Sequence, residues 1–334
     1  MNPMPPAPDT RLRMLVAPDS FKGTYSAEEV CDFIAEGAAE VGAQVDLCPL
    51  ADGGEGTLSV LVGPLGLELR ELEVDDALGR RVKAPIGFGA DGLAVIESAA
   101  AIGLAAIPAG ERDPIVASSR GVGELIAHAR DGGARRISIG VGGSATVDGG
   151  AGAIRALGPE VGLAGLEVEV LCDVETVWER AASVFGPQKG AAPEGVAFLS
   201  ARMDELAASL PRDPRGVPMS GAAGGLSGAL WALGATLVPG ADRVLDLLGF
   251  EQRLAGADLV VTGEGSLDSQ SMEGKLVGRV TERAHRAGVG VVAVVGRLGS
   301  GRDAIAALGL DDVIVAGTPT AMRAAGRQLA GDLS

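Results

Sequence analysis

Uninterrupted apolar runs stand near both ends of the chain, and a different rhythm separates them. Residues 12–18 (LRMLVAP) form the first run. Residues 26–41 follow at helical spacing, with Ser26 as the expected N-cap and Glu29 completing a capping box. Residues 44–50 make the next strand. The opening is therefore a βαβ unit, whose crossover imposes parallel strands and a right-handed connection. After Pro239 the same rhythm returns in residues 258–262 (DLVVT), 289–295 (VGVVAVV) and 312–316 (DVIVA), separated by helical stretches such as 274–287. Continuous apolarity suits strands buried on both faces.

Between these halves, residues 68–74 (ELRELEV) alternate, 76–79 make a turn, and 80–88 and 92–97 add two more runs. Short strands joined by turns predict an antiparallel meander. A helix at 121–130 and strands at 136–141 and 167–173 follow. The expected layout is an α/β chain of two domains: a parallel-sheet domain from residues 12–66 plus 240–334, interrupted by a mixed α/β domain at 67–239. Residues 1–11, rich in proline, are expected to be a disordered tail without a secretion signal. No fixed repeat is present, which excludes a solenoid.

An apolar content of 47% over 334 residues excludes a disordered chain. The net charge of −16 argues against a nucleic-acid partner, which needs a basic stripe to displace counterions. A small anionic substrate would require a local basic site against that field. Only four of the 28 basic residues are lysines: Lys22, Lys83, Lys189 and Lys275. Cys31, Cys48 and Cys172 lack CxxC spacing and read as buried or free thiols in a reducing compartment. His128 and His285 read as surface residues, forming neither a metal site nor a triad. Residues 216–241 carry no charge and are long enough to span a bilayer, but their prolines and glycines predict a loop feeding a buried helix. No membrane partner is expected.

Five loops concentrate polar residues among glycines: 17–23 (APDSFKG), 51–57 (ADGGEGT), 140–152 (GVGGSATVDGGAG), 185–190 (FGPQKG) and 262–275 (TGEGSLDSQSMEGK). Without Cβ, the backbone adopts positive φ and approaches an anion closely. In open α/β sheets such loops gather at the carboxyl ends of strands, where ligands bind. Lys22, Lys189 and Lys275 lie in these loops and offer point charges for phosphate oxygens. Asp19, Asp52, Asp148 and Asp268 lie there too. An aspartate among glycines holds Mg²⁺, accepts a hydroxyl proton, or closes an Asx-turn. Together these residues describe nucleotide-dependent phosphoryl transfer to a small hydroxylated molecule, without a Walker A sequence or the HRD and DFG strings of protein kinases.

With residues 120–126 (RGVGELI), 140–158 (GVGGSATVDGGAGAIRALG) and 221–230 (GAAGGLSGAL) added to these loops, the sequence resembles the type I glycerate kinase family from residue 15 to about residue 295. The resemblance implies a flavodoxin-like domain interrupted by one resembling the restriction-endonuclease fold. It also implies ATP- and Mg²⁺-dependent phosphorylation of D-glycerate in the cytoplasm, giving 2-phosphoglycerate in preference to 3-phosphoglycerate, by a monomer or homodimer. By position, the expected catalytic residues are Lys22, Asp148, Asp173 and Lys275, with Asp52 and Asp268 holding the metal. Asp19, Ser20, Gly53, Gly54, Glu55, Gly142, Gly143, Ser144, Thr146, Lys189, Glu264 and Gln270 are expected to bind phosphate or substrate. The chain departs from the family pattern at Val147, Ser266 and Arg120, and Asp173-Val174 runs into Glu175-Thr176 without the Asn-Pro pair. A gained Arg120 and a lost arginine at Ser266 bear on how a substrate carboxylate is held. A kinase for another small hydroxy acid and a non-catalytic metabolite-binding protein are the alternative readings.

Overall fold

A computed structural model of the chain describes residues 11–158, 162–267, 276–299 and 308–332. It resolves into two compact units, Met1–Leu50 with Gly249–Ser334, and Ala51–Leu248. The first unit contains β1 (Arg13–Pro18), α1 (Ala27–Glu40) and β2 (Gln44–Leu47). The second runs through α2 (Thr57–Val62), β3 (Glu68–Asp75), β4 (Arg81–Phe88), β5 (Leu93–Glu97), α3 (Ser98–Ile102), α4 (Arg120–Asp131), β6 (Arg136–Gly140), α5 (Ala151–Leu157) and β7 (Glu167–Cys172). It continues with α6 (Ala181–Phe185), α7 (Pro193–Ser209), α8 (Leu226–Ala232), β8 (Thr236–Pro239) and α9 (Gly240–Leu247). The chain then returns to the first unit with α10 (Phe250–Leu254), β9 (Leu259–Leu267), α11 (Leu276–Arg286), β10 (Gly290–Leu298), β11 (Asp312–Val315) and α12 (Pro319–Gly331).

In the first unit the strands lie in the order β11-β10-β9-β1-β2, and every pairing is parallel. Counted by appearance within the unit this is 2-1-3-4-5, the doubly wound flavodoxin-like order. Helix α1 begins as its capping box dictates. The Ser26 hydroxyl accepts from the Glu29 amide at 3.2 Å, and the Glu29 carboxylate accepts from the Ser26 amide at 2.8 Å. Its Val30, Cys31 and Ile34 join Val16, Val261, Val294 and Met322 in one core.

Helices α1 and α12 pack backbone against backbone. A Cβ on Gly37 would lie 1.9 Å from the Arg323 carbonyl oxygen, and one on Gly326 would lie 2.1 Å from that of Ile34. Both glycines are buried, so their absent side chains set the helix separation.

The second unit carries one mixed sheet in the order β3-β4-β5-β6-β7-β8. The first three strands are the expected antiparallel meander, and the remaining pairings are parallel. Ile86, Ile96, Ile139 and Val170 face a core shared with Leu125 and Ile126 of α4 and Leu230 of α8. On the opposite face Gly87 lies against Leu58 of α2.

The units divide at residues 50/51 and 248/249, outside the expected 66/67 and 239/240. Helix α2 packs on β4 and β5, while α9 packs on β7 and β8, so both belong with the inserted sheet. The uncharged stretch 216–241 folds as a short 3-10 turn, α8 and the edge strand β8. Among the described residues no helix is long and apolar enough to cross a membrane. All three cysteines are free and buried, and both histidines are exposed.

The α1–α12 contact predicts that Gly37→Ala lowers stability. The added methyl gains about 1 kcal/mol in helix propensity, but forcing two packed backbones apart costs about 1–3 kcal/mol and the lost contacts beside them. A lower urea midpoint for Gly37→Ala, with none for Gly331→Ala, where nothing lies within 4 Å, is the expected outcome.

Candidate functional site

In the second unit, three glycine-bearing loops converge at the carboxyl ends of β6 and β7. A Cβ on Gly142 would lie 2.6 Å from Gly54 Cα and 3.1 Å from Asp173 Oδ2, so only glycine lets these segments meet. The 51–57 loop is held from below. Asp52 accepts from the Gly54 amide at 3.0 Å, and the Thr57 hydroxyl donates to the Gly54 carbonyl at 2.7 Å. Glu97, the last residue of β5, accepts from the Gly56 and Leu58 amides at 3.1 and 3.2 Å. It thereby caps α2, whose own N-cap, Gly56, has no side chain to do so. Burial raises the Glu97 pKa above the usual carboxylate range.

These loops open onto a cavity of about 400 Å³ lined by Glu55, Arg112, Gly143, Ser144, Asp173 and Lys189, with Gln188 and Phe185 beside them. Pockets of this size suit small ligands. Lys189 ends the 3-10 turn Pro187–Lys189 and is only 3% exposed. Its ammonium donates to the Ser144 hydroxyl at 3.1 Å and to the Thr146 carbonyl at 2.8 Å, and lies 5.6 Å from the Phe185 ring centroid. Burial lowers its pKa from 10.5 to about 7, against the opposing pull of the Asp148 and Asp173 charges.

Asp148 and Asp173 are expected to share a catalytic role, and the structure separates them. Asp148 Oδ2 accepts from the Ser119 amide and hydroxyl, both at 2.9 Å, and from the Gly152 amide at 3.0 Å. Its Oδ1 accepts from the Gly150 amide at 3.0 Å, and the Ser119 hydroxyl in turn accepts from the Ala153 amide at 3.0 Å. This carboxylate, expected from sequence to be catalytic, ties the starts of α4 and α5 together. Asp173, half-buried at the end of β7, lines the cavity instead. Two of the backbone amides expected to receive an anion have partners inside the protein. The Gly54 amide turns inward to Asp52, and the Gly142 amide donates to the Gly53 carbonyl at 3.4 Å.

Asp19, Ser20, Lys22 and Glu264 stand in the first unit, at the switch point of its sheet between β1 and β9. Asp19 is buried, donates from its amide to the Gly263 carbonyl at 2.8 Å and accepts from the Ser20 amide at 2.7 Å. Lys22 is exposed in the turn that follows, and Glu264 lies half-buried on β9. The expected Asp268, Gln270 and Lys275 lie outside the described residues.

Arg112, Gln188 and Glu97 were not among the residues expected from sequence. Gln188 sits inside the FGPQKG motif, and an acid closing the buried strand LAVIE marks Glu97, but Arg112 lies in a charged loop that gives no signal. Arg120 and Val147 are not among the residues that line the cavity. Arg120 is exposed and pairs with Asp75 and Glu124, each at 3.0 Å, while Val147 is core, packed with Trp178 and Leu199. Ser266 stands opposite Arg297 on β10. Among the described residues no three His, Cys, Asp or Glu side chains group as metal ligands.

Comparison with known proteins bears on the whole chain. A family model described as the glycerate kinase family matches residues 14–162 and 160–333. The chain is 38% identical over 322 residues to Glycerate 2-kinase of Escherichia coli (strain K12), covering 84% of each chain. It is 39% identical over 342 residues to Glycerate kinase of Bacillus subtilis (strain 168), covering 90% of this chain and 89% of that one. A crystal structure from Salmonella typhimurium LT2, provisionally described as glycerate kinase 2, superposes with a TM-score of 0.83 at 36% identity, covering 97% of this chain and 98% of that one. The match in sequence extends through both units, as does the match in fold, and on that ground the chain belongs to the glycerate kinase family.

Proposed function

We propose that the protein is an ATP-dependent D-glycerate kinase, giving 2-phosphoglycerate in preference to 3-phosphoglycerate, and that the cavity of the second unit is where the acceptor binds. The observation that carries this placement is Lys189. A buried cation in a cavity of a protein of net charge −16 is a local anion site. The reduced, buried cysteines agree with a cytoplasmic setting.

In the reaction, the acceptor hydroxyl oxygen forms a bond to the γ-phosphorus of ATP as the bond to the β,γ-bridging oxygen breaks. ADP leaves with that oxygen, and the hydroxyl proton passes to Asp173 and on to solvent. Little covalent work falls to the protein in such a transfer, so positioning and charge dominate. Lys189 offsets developing negative charge, with Ser144 holding the ammonium in place. Lys22 and Asp19, with Ser20 and Glu264, form the second constellation, at the switch point between β1 and β9 where nucleotides bind in sheets of this order. Glu55, on the same cavity wall, offers only oxygen donors, which fits a hard cation such as Mg²⁺ that takes one or two carboxylates. Asp52 is the other carboxylate of this unit assigned to it, and bound Mg²⁺ would supply neutralisation of phosphate charge.

Turnover and stability separate the two aspartates. Asp173→Asn is expected to lower kcat at least about a hundredfold with a small change in stability. Asp148→Ala is expected to lose about 3 kcal/mol of stability, since four donors lose one buried acceptor. Denaturant unfolding beside a coupled ADP-release assay checks both, and the reverse pattern would return the base role to Asp148. Run over a panel of hydroxy acids, the same assay is expected to rank D-glycerate first. Another acid ranking first overturns the substrate assignment, and NMR of the product identifies the phosphorylated carbon.

Lys189→Met is expected to lower kcat/KM for D-glycerate by about 10²–10³. The ammonium is charged below pH about 7, so kcat/KM should decline as pH rises through that value, and Lys189→Arg should remove the decline. Between pH about 7 and 10.5 the unfolded chain holds a proton that the folded chain has released, so this residue makes stability rise with pH across that window. Lys189→Met should flatten that rise in unfolding measured at several pH values.

A further inference from the structure

Most arginines in this acidic chain are matched to carboxylates. Arg80 pairs with Asp76 and Glu111, and Arg120 with Asp75 and Glu124. Arg112, between those two in sequence, is different. It is half-buried, it lines the cavity, and among the described residues no carboxylate pairs with it. Its Nε donates to the Ile107 carbonyl at 3.1 Å, which fixes the guanidinium plane and leaves the two terminal nitrogens as a fork.

The segment that carries Arg112 is braced. Arg202 donates to the Ile115 carbonyl at 2.8 Å and to the Val147 carbonyl at 3.1 Å. A Cβ on Gly190, whose φ is +104°, would lie 3.0 Å from the Arg112 carbonyl oxygen, so the backbone of Arg112 rests on the turn that delivers Lys189. The cavity also holds Glu55 and Asp173, which repel an anionic acceptor, and the Lys189 ammonium is already bonded to Ser144 and Thr146. A carboxylate entering there needs a planar, paired donor, and guanidinium supplies one where ammonium does not.

We infer that Arg112 receives the carboxylate of the acceptor substrate and makes the enzyme choose hydroxy acids over neutral polyols. This rests on the kinase reading above and assigns within it the group that reads the acid. Arg112 is a specificity-determining residue: it holds the carboxylate, and the phosphoryl group goes to a hydroxyl of the same acceptor.

The test is steady-state kinetics of the full chain and its Arg112→Met and Arg112→Lys variants, with D-glycerate and glycerol as acceptors and ATP varied separately. In Arg112→Met the KM for D-glycerate is expected to rise at least about 30-fold, from loss of a bidentate charged pair. The KM for ATP and turnover of glycerol should stay within about twofold, so the acid-over-polyol ratio narrows by the same factor. Arg112→Lys should recover part of the glycerate KM, because it restores charge without the fork; it also carries the test if Arg112→Met does not fold. A raised KM for ATP with glycerate unchanged, or equal losses with both acceptors, overturns the assignment. If the parent turns over D-glycerate and neither variant changes its KM, the Arg112 assignment alone falls. If the parent releases no ADP with D-glycerate, the kinase reading falls with it.

Discussion

An ammonium group taken out of water loses several kcal/mol of hydration unless partners replace it, and the inserted unit is arranged around one such group. Lys189 has two oxygen acceptors within 3.1 Å, an aromatic face beside it and the charges of Asp148 and Asp173 nearby. Each partner comes from a different part of the chain. Ser144 and Thr146 belong to the loop after β6, Asp173 directly follows β7, and Phe185 closes α6. Assembling them requires the loops to approach more closely than side chains allow, hence glycine at 54 and 142, where Cα meets Cα. The burial of the cation and the close passage of the loops are two sides of one constraint.

The same constraint sorts the carboxylates by task. Asp148 accepts three backbone amides and the Ser119 hydroxyl at the starts of α4 and α5. Glu97 does similar work for α2 from a neighbouring strand, where burial raises its pKa and the two capping amides pull it back down. Asp173 and Glu55 project instead into the cavity. Two residues hold the frame and two line the cavity, and what separates them is which donors each one faces.

Much of the fold was legible because its signals are local. The capping box at Ser26 and Glu29, the continuous apolar strands and the alternating meander all depend on near neighbours, and all stand where the pattern places them. The domain boundaries were not legible to the same degree, since α2 and α9 are assigned by the sheet they pack on, which their own sequences do not name. The contact of Gly37 with Arg323 is of the same kind, joining positions 286 residues apart that carry no mark of each other.

For the site, the sequence by itself determined the inventory: glycine-rich loops at strand ends, scarce lysines within them and aspartates beside them, because residue type and spacing are written in the chain. The tertiary structure decided the division of labour. It buried Lys189, left Lys22 exposed, turned Asp148 onto helix starts, and brought Arg112 from an ordinary charged loop to the cavity wall. These outcomes depend on which distant loops meet and how much water they exclude. Burial and hydrogen-bond partners belong to the assembled structure, so no local pattern encodes them.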